Sequence, residues 1–246
     1  MVESNSHYKN LVETKKETHF ASCGFSDRFD PFILNKIPYL RSLYGGLFQS
    51  HLRGIPNSRI LDIGCGTGIY FDKLSLCADR INAIDCSVDM IRIATDYCKK
   101  NRLTNIIPSV GSSEAIPFDD ESFDIVIELD TLHHLTDFNK TLWEIHRILK
   151  PGGHFFVFEP NIYNPLTFFA HLIPREERLG IKRNRPGKLL SMLEQKFETV
   201  RWTGVCALVT QTKGFKRILF DLYLKFWEST KIEKLYPRQA WLGLKK

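Results

Sequence analysis

Through the middle of the chain, short apolar runs alternate with amphipathic stretches. Arg59-Ile60-Leu61-Asp62-Ile63 is apolar, ends in glycines and predicts a strand. Residues 69–76 predict a helix and Arg80–Asp85 a second strand. Ser87 predicts the cap of a helix through Met90, Ile91, Ile93, Ala94 and Tyr97, with Asp89 in its first turn. Ile106–Val110 and residues 123–127 predict two more strands. Residues 138–149 predict a helix, because Leu142, Ile145, Ile148 and Leu149 share one face, and Lys150-Pro151-Gly152-Gly153 is expected to stop it. Residues 154–158 are apolar almost throughout and predict a fifth strand. Strands alternating with helices imply parallel βαβ units. Near-continuous apolar strands imply a sheet covered on both faces.

Two segments depart from the alternation. Residues 1–57 carry Tyr8, Phe20, Phe25, Phe29, Phe32, Tyr39, Tyr44 and Phe48 among polar residues. Residues 160–240 predict a helix near 188–196, a strand near 198–205 and a longer, mostly apolar helix at 215–227, before a last strand at 240–244. No linker marks a second domain.

Composition narrows the class. With 43% hydrophobic and 25% charged residues the 246-residue chain reads as globular. Its six cysteines (Cys23, Cys65, Cys77, Cys86, Cys98, Cys206) contain no Cys-x-x-Cys pair and are expected to be reduced, as in a cytoplasmic protein. The start is polar, without the apolar core of a secretory signal, and the longest apolar stretches, such as 166–173, fall short of a bilayer span. The net charge of +6 comes without a dense basic block, so nucleic acid is not the expected partner.

Chemistry enters at Leu61-Asp62-Ile63-Gly64-Cys65-Gly66-Thr67-Gly68, where a strand turns into a helix. Glycines let the backbone turn sharply and approach a ligand, at the strand edge where doubly wound sheets bind. The spacing is Gly-x-Gly-x-Gly, not the Gly-x-Gly-x-x-Gly of dinucleotide sites. Asp85 closes the second strand, where a carboxylate can accept both hydroxyls of a ribose.

With the glycine loop and Asp85, four further elements stand in order: Glu114-Ala115-Ile116-Pro117-Phe118, Ser122-Phe123-Asp124-Ile125-Val126, Leu132-His133-His134-Leu135 and Arg147-Ile148-Leu149-Lys150-Pro151-Gly152-Gly153. The set, covering residues 58–160, resembles the class I S-adenosylmethionine-dependent methyltransferases, in particular their type-11 small-molecule branch. The resemblance implies a doubly wound, mostly parallel seven-stranded sheet in one domain. Residues 1–57 would form an N-terminal helical cap, 58–160 the cofactor-binding core, and 161–246 an acceptor lid and final strands. It further implies that Asp62 and the backbone of Gly64, Cys65, Gly66 and Gly68 line the methionine moiety, that Asp85 takes the ribose, and that Cys86 and Met90 flank the adenine. Ser112 and Ser113 lie where the family contacts the adenine edge. The family usually has an aspartate after the glycine there, whereas this chain has Gly111-Ser112, with Glu114 as a substitute.

Methyl transfer mainly needs an oriented acceptor and a dry site, with a base only where the acceptor must lose a proton. Glu128 is expected near the cofactor's amino group, largely through its backbone carbonyl. Asp130, His133 and His134 are the candidates for contacting the acceptor as catalytic residues; packing or helix capping is the alternative role of the histidines. The Glu159–Pro165 segment is a pocket-shaping or simply connecting loop. The 215–227 helix is a lid for a hydrophobic or lipid-like acceptor, a shallow membrane contact, or a helix packed on the domain. Two other functions stay open at this level, a nicotinamide-dependent oxidoreductase and a non-catalytic cofactor-binding protein. A flipped-base methyltransferase is disfavoured, because Leu129-Asp130-Thr131 stands where an Asn/Asp-Pro-Pro-aromatic element would hold an exocyclic amine. No metal site is expected.

Overall fold

A computed structural model describes residues 31–32, 34, 38–52, 58–135, 137–172, 185–207 and 214–246. In chain order the elements are α1 (Pro38–Leu52), β1 (Arg59–Ile63), α2 (Phe71–Leu74), β2 (Arg80–Asp85), α3 (Val88–Asn101), β3 (Ile106–Val110), β4 (Phe123–Leu129), α4 (Phe138–Ile148), β5 (Leu149–Pro160), α5 (Pro165–Leu172), α6 (Pro186–Leu193), β6 (Phe197–Val205), α7 (Phe215–Thr230) and β7 (Arg238–Lys245). One 3₁₀ turn, Leu132–His134, follows β4, and another, Glu233–Leu235, precedes β7. The seven strands form one sheet in the order β3-β2-β1-β4-β5-β7-β6, and β7 runs antiparallel to both β5 and β6. This is the doubly wound, mostly parallel sheet expected.

The sheet has two apolar faces because its central strands bury both sets of alternating side chains. On one face Ile60, Ile81, Ala83, Ile125, Ile127, Phe156 and Phe158 meet Leu40, Tyr44, Phe48 and Leu52 of α1 and Ala94, Tyr97 and Cys98 of α3. On the other, Leu61, Ile63, Ile84, Val126, Phe155 and Val157 meet Phe138, Leu142, Ile145 and Ile148 of α4 and Leu189 and Leu193 of α6. Helix α1 therefore contributes Tyr44 and Phe48 to a shared core, while Tyr8, Phe20, Phe25 and Phe29 of the expected cap lie outside the described residues.

Ser87 does cap α3, its hydroxyl accepting from Met90 N at 3.4 Å. The Lys-Pro-Gly-Gly element behaves differently from expectation. α4 already ends at Ile148, and Lys150–Gly153 lie inside β5. Phe123 pairs with Leu149 but Ile125 with His154, so the extra residues bulge out of the ladder. Gly152 sits at φ 72°, a left-handed conformation that glycine adopts without strain. No disulfide joins the described cysteines, and no described helix is long and apolar enough to cross a membrane.

The order of the strands reverses between β1 and β4, the place where such sheets open a crevice. The carboxyl ends of β1, β2, β4 and β5 share one edge. Antiparallel β7 brings its first residue to the same edge, since Arg238 pairs with Pro160.

Candidate active site

The glycine loop is built for tight backbone. Gly64, Gly66 and Gly68 all have positive φ, at 72°, 54° and 83°. A Cβ on Gly64 would stand 2.2 Å from Thr131, and one on Gly68 would stand 2.6 Å from Phe71. Space is open above Gly66. Gly64 N and Cys65 N both donate to Ile84 O, tying the loop to β2. The Asp85 carboxylate accepts from Gly66 N at 3.0 Å and from Ser87 N at 2.8 Å, so it is held facing the loop. Each carboxylate oxygen has two lone pairs, so further acceptor capacity remains for a ligand.

Asp62, at the end of β1, is buried, and its Oδ1 has no hydrogen-bond partner. Burial, reinforced by the charge of Asp85, pushes its carboxyl up to about 8. The Cys65 thiol is held well above its usual value by burial first, then by Asp62 and Asp85. Two carboxylates thus converge beneath the glycine amides, and one of them lacks a counter-charge among the described residues. Met90 is buried in α3, whereas Cys86 is exposed at the end of β2. Ser112 accepts from Glu114 N, and Thr141 Oγ1 lies 3.3 Å from the Ser113 hydroxyl. Glu114 accepts from Asp137 N at 3.1 Å, at the start of α4.

The candidates after β4 divide between the two faces of the sheet. Glu128 pairs with Ile63 and Val157, so it belongs to the α4 side. It accepts from Thr131 N at 2.6 Å and faces Glu159 at the end of β5. Burial first, then the neighbouring Glu159 charge, keeps the Glu128 carboxyl well above its usual value. Glu159 also accepts from Leu132 N at 2.8 Å and lies 2.8 Å from His133 Nδ1. His133 is buried in this network. His134 is exposed and packs on the His133 ring at 3.9 Å between centroids.

Asp130 turns the other way. It adopts φ 59°, and its carboxylate accepts from Tyr70 Oη at 2.8 Å and pairs with Arg238. Tyr70 begins α2 just after the glycine loop. With Tyr44, Phe48 and Phe158 it forms an aromatic cluster within the buried core, ring centroids 5.2–6.0 Å apart. Thr131 Oγ1 donates to Gly64 O at 3.0 Å, closing the β1–β4 crevice.

Sequence reasoning did not single out Tyr70, Thr131 or Arg238. Glu159 had the same signal as Asp62 and Asp85, an acid ending an apolar strand. Arg238 had none, because only the antiparallel return of β7 brings it to this edge. The Asn161 and Asn164 side chains of the loop after β5 are buried and donate to the carbonyls of Lys234, Tyr236 and Leu235. That loop is a brace for the approach to β7. No group of three or more potential metal ligands occurs among the described residues.

Against this geometry, the comparisons with known proteins are specific. Residues 61–157 match the family model described as a methyltransferase domain. The chain is 32% identical over 97 residues to the uncharacterized methyltransferase YcgJ of Bacillus subtilis, across 39% of this chain and 38% of that protein. It is 32% identical over 131 residues to the ubiquinone/menaquinone biosynthesis C-methyltransferase UbiE of Vibrio campbellii, across 49% and 51%. The chain thus spans about half or less of the length of these two relatives. Its fold matches the phosphoethanolamine N-methyltransferase 2 of Haemonchus contortus in complex with S-adenosyl-L-methionine, with a TM-score of 0.61 at 15% identity, over 83% of this chain and 52% of that one.

Proposed function

We propose that this chain, whose residues 61–157 match a methyltransferase-domain model, is a class I S-adenosylmethionine-dependent methyltransferase that moves the methyl group of that cofactor to a small hydrophobic acceptor. The observation that carries this reading is the unpartnered, buried Asp62 carboxylate beside Asp85 under the glycine amides. Two acids here suit a ligand with an ammonium and a sulfonium. A cationic ligand draws Asp62 into its ionised form and pairs with it, whereas the pyrophosphate of a nicotinamide dinucleotide supplies no counter-charge and meets the Asp85 carboxylate.

The residues present fit the cofactor. Asp62 and the Gly64, Cys65, Gly66 and Gly68 backbone would hold the methionine end, Asp85 the ribose, Cys86 and Met90 the adenine faces, Ser112 and Ser113 its edge, and the Glu128 carbonyl the amino group. When bound, S-adenosylmethionine supplies an electrophilic methyl on a positively charged sulfur, already a strong leaving group. The protein's part is to orient the acceptor and exclude water. Asp130, held between Tyr70 and Arg238 at the strand edge, would orient an acceptor there. His134, the exposed member of the histidine pair, takes a proton where the acceptor must lose one, and His133 supports it from within. UbiE is named for quinone biosynthesis, which favours a flat, lipid-like acceptor and shallow contact with a lipid surface. All 246 residues are read as one cytoplasmic unit.

Calorimetry with S-adenosylmethionine and S-adenosylhomocysteine tests the cofactor. Turnover of a panel of quinols and phenols, read as S-adenosylhomocysteine formed, tests the acceptor. Binding of both nucleosides and turnover confined to apolar acceptors are expected. No binding heat from either nucleoside overturns the proposal. Unchanged turnover in His133→Asn, His134→Asn and Asp130→Asn removes the side chains from the chemistry.

A further inference from the structure

We propose that the outward face of α7 docks this chain on an anionic phospholipid surface. The inference rests on the lipid-like acceptor reading above and assigns the element that makes the contact. Phe215, Ile218, Leu219, Leu222 and Phe226 follow one another at spacings of three and four, so they form one stripe about 16 Å long. A stripe of that kind normally faces a core. Here all five side chains are at least half exposed, Phe215 reaching 73%, while Leu224 on the opposite side is buried.

Charge is sorted around the stripe. Asp221, three residues after Ile218, borders the stripe, while exposed Glu228 lies four after the buried Leu224. Asp221 is neutralised by Arg217 at 2.9 Å. Lys225, exposed, stands next to Phe226 and three residues after Leu222, at the border of the stripe. Past the helix end, exposed Lys231 and Lys234 outnumber Glu233. An apolar face bordered by Lys225, with its bordering acid paired to Arg217 and further lysines past the helix end, is the pattern of a helix lying in a bilayer interface. The five side chains expose on the order of 500–600 Å², short of the ~800 Å² per partner of a stable protein interface. That favours a lipid surface over a second copy.

The docked face is joined to the site. Tyr223 Oη donates to Asn164 Oδ1 at 2.7 Å, and Asn164 and Asn161 brace residues 234–236, which lead into Arg238. A bilayer under α7 would lie beside the strand edge that takes the acceptor.

Flotation of the full chain with phosphatidylcholine vesicles, with or without 30% phosphatidylglycerol, tests this. Wild type is expected to float with the anionic vesicles. Leu219→Glu/Leu222→Glu/Phe226→Glu should lower partitioning at least tenfold, with unchanged circular dichroism and S-adenosylhomocysteine binding. Lys225→Glu, which leaves the stripe intact, should lower it severalfold at low salt and less at high salt. Three results overturn the proposal: wild type that floats with neither vesicle, variants that both partition like wild type, or a wild-type dimer in sedimentation velocity that the triple variant dissociates, which makes the stripe a contact between copies. Flotation needs no acceptor and no turnover, so its failure is distinct from failure of the methyltransferase reading, which nucleoside binding reports.

Discussion

Asp130 and Arg238, 108 positions apart in the chain, meet as an ion pair where β4 ends and β7 begins. Both side chains are largely buried, and Asp130 holds a left-handed backbone to make the contact. Tyr70 occupies the second carboxylate oxygen, so the pair ties the glycine loop, the crevice wall and the returning strand together.

Removing one partner strands the other charge. Arg238→Met is expected to destabilise the fold by about 3 kcal/mol in denaturant unfolding. Asp130→Asn keeps a residue that tolerates positive φ, and so reports the charge without the backbone cost. A double-mutant cycle should show coupling above about 1 kcal/mol; additive single effects would mean that the pair does not hold the edge together.

The glycines of the loop differ in what they tolerate. Gly64→Ala places a methyl 2.2 Å from Thr131, whereas Gly66→Ala meets open space and bears only the cost of positive φ. Thermal unfolding should show Gly66→Ala down by about 1 kcal/mol and Gly64→Ala by several times that. Adding Thr131→Ala should recover part of the Gly64→Ala loss. Equal losses at the two positions would contradict the geometry.

Asp62 predicts a pH dependence of definite sign. Its carboxyl is raised from 3.8 to about 8, so between those values the folded chain binds a proton that the unfolded chain does not. This contribution to stability is full below about pH 4 and is lost as pH rises toward 8. Asp62→Asn should flatten that slope in the ligand-free protein. A cationic ligand favours the ionised carboxylate, so calorimetry of S-adenosylhomocysteine at pH 7 in buffers of different ionisation enthalpy should show proton release, approaching one per site. Heats independent of the buffer would count against Asp62 as the counter-charge.

The buried acids at the ends of β4 and β5 give a fourth test. Glu159→Ala removes the acceptor for Leu132 N and the partner of His133, and should cost about 2–4 kcal/mol in chemical denaturation. Glu128→Gln removes a carboxyl already disposed to carry a proton and should cost less than Glu159→Ala. The reverse order would count against a Glu128 carboxyl that resists ionisation.

Much of this molecule is written locally. The alternation of apolar strands with amphipathic helices, the glycines that accept positive φ, Ser87 at its cap and the acids that end β1 and β2 each act through neighbours within a few residues, so the sequence alone determined the doubly wound sheet and the glycine loop with its two acids. The partners of Asp130, the Glu128–Glu159–His133 network and the outward face of α7 depend on contacts between residues 26 to 108 positions apart, or on which side of a helix is left uncovered. Hydrophobic period states that a helix has an apolar side, but only packing states what that side meets. The antiparallel return of β7 alone carries Arg238 to the edge where β4 and β5 end. Tertiary structure therefore decided that Asp130 and the histidines, three and four residues apart, serve opposite faces of the sheet.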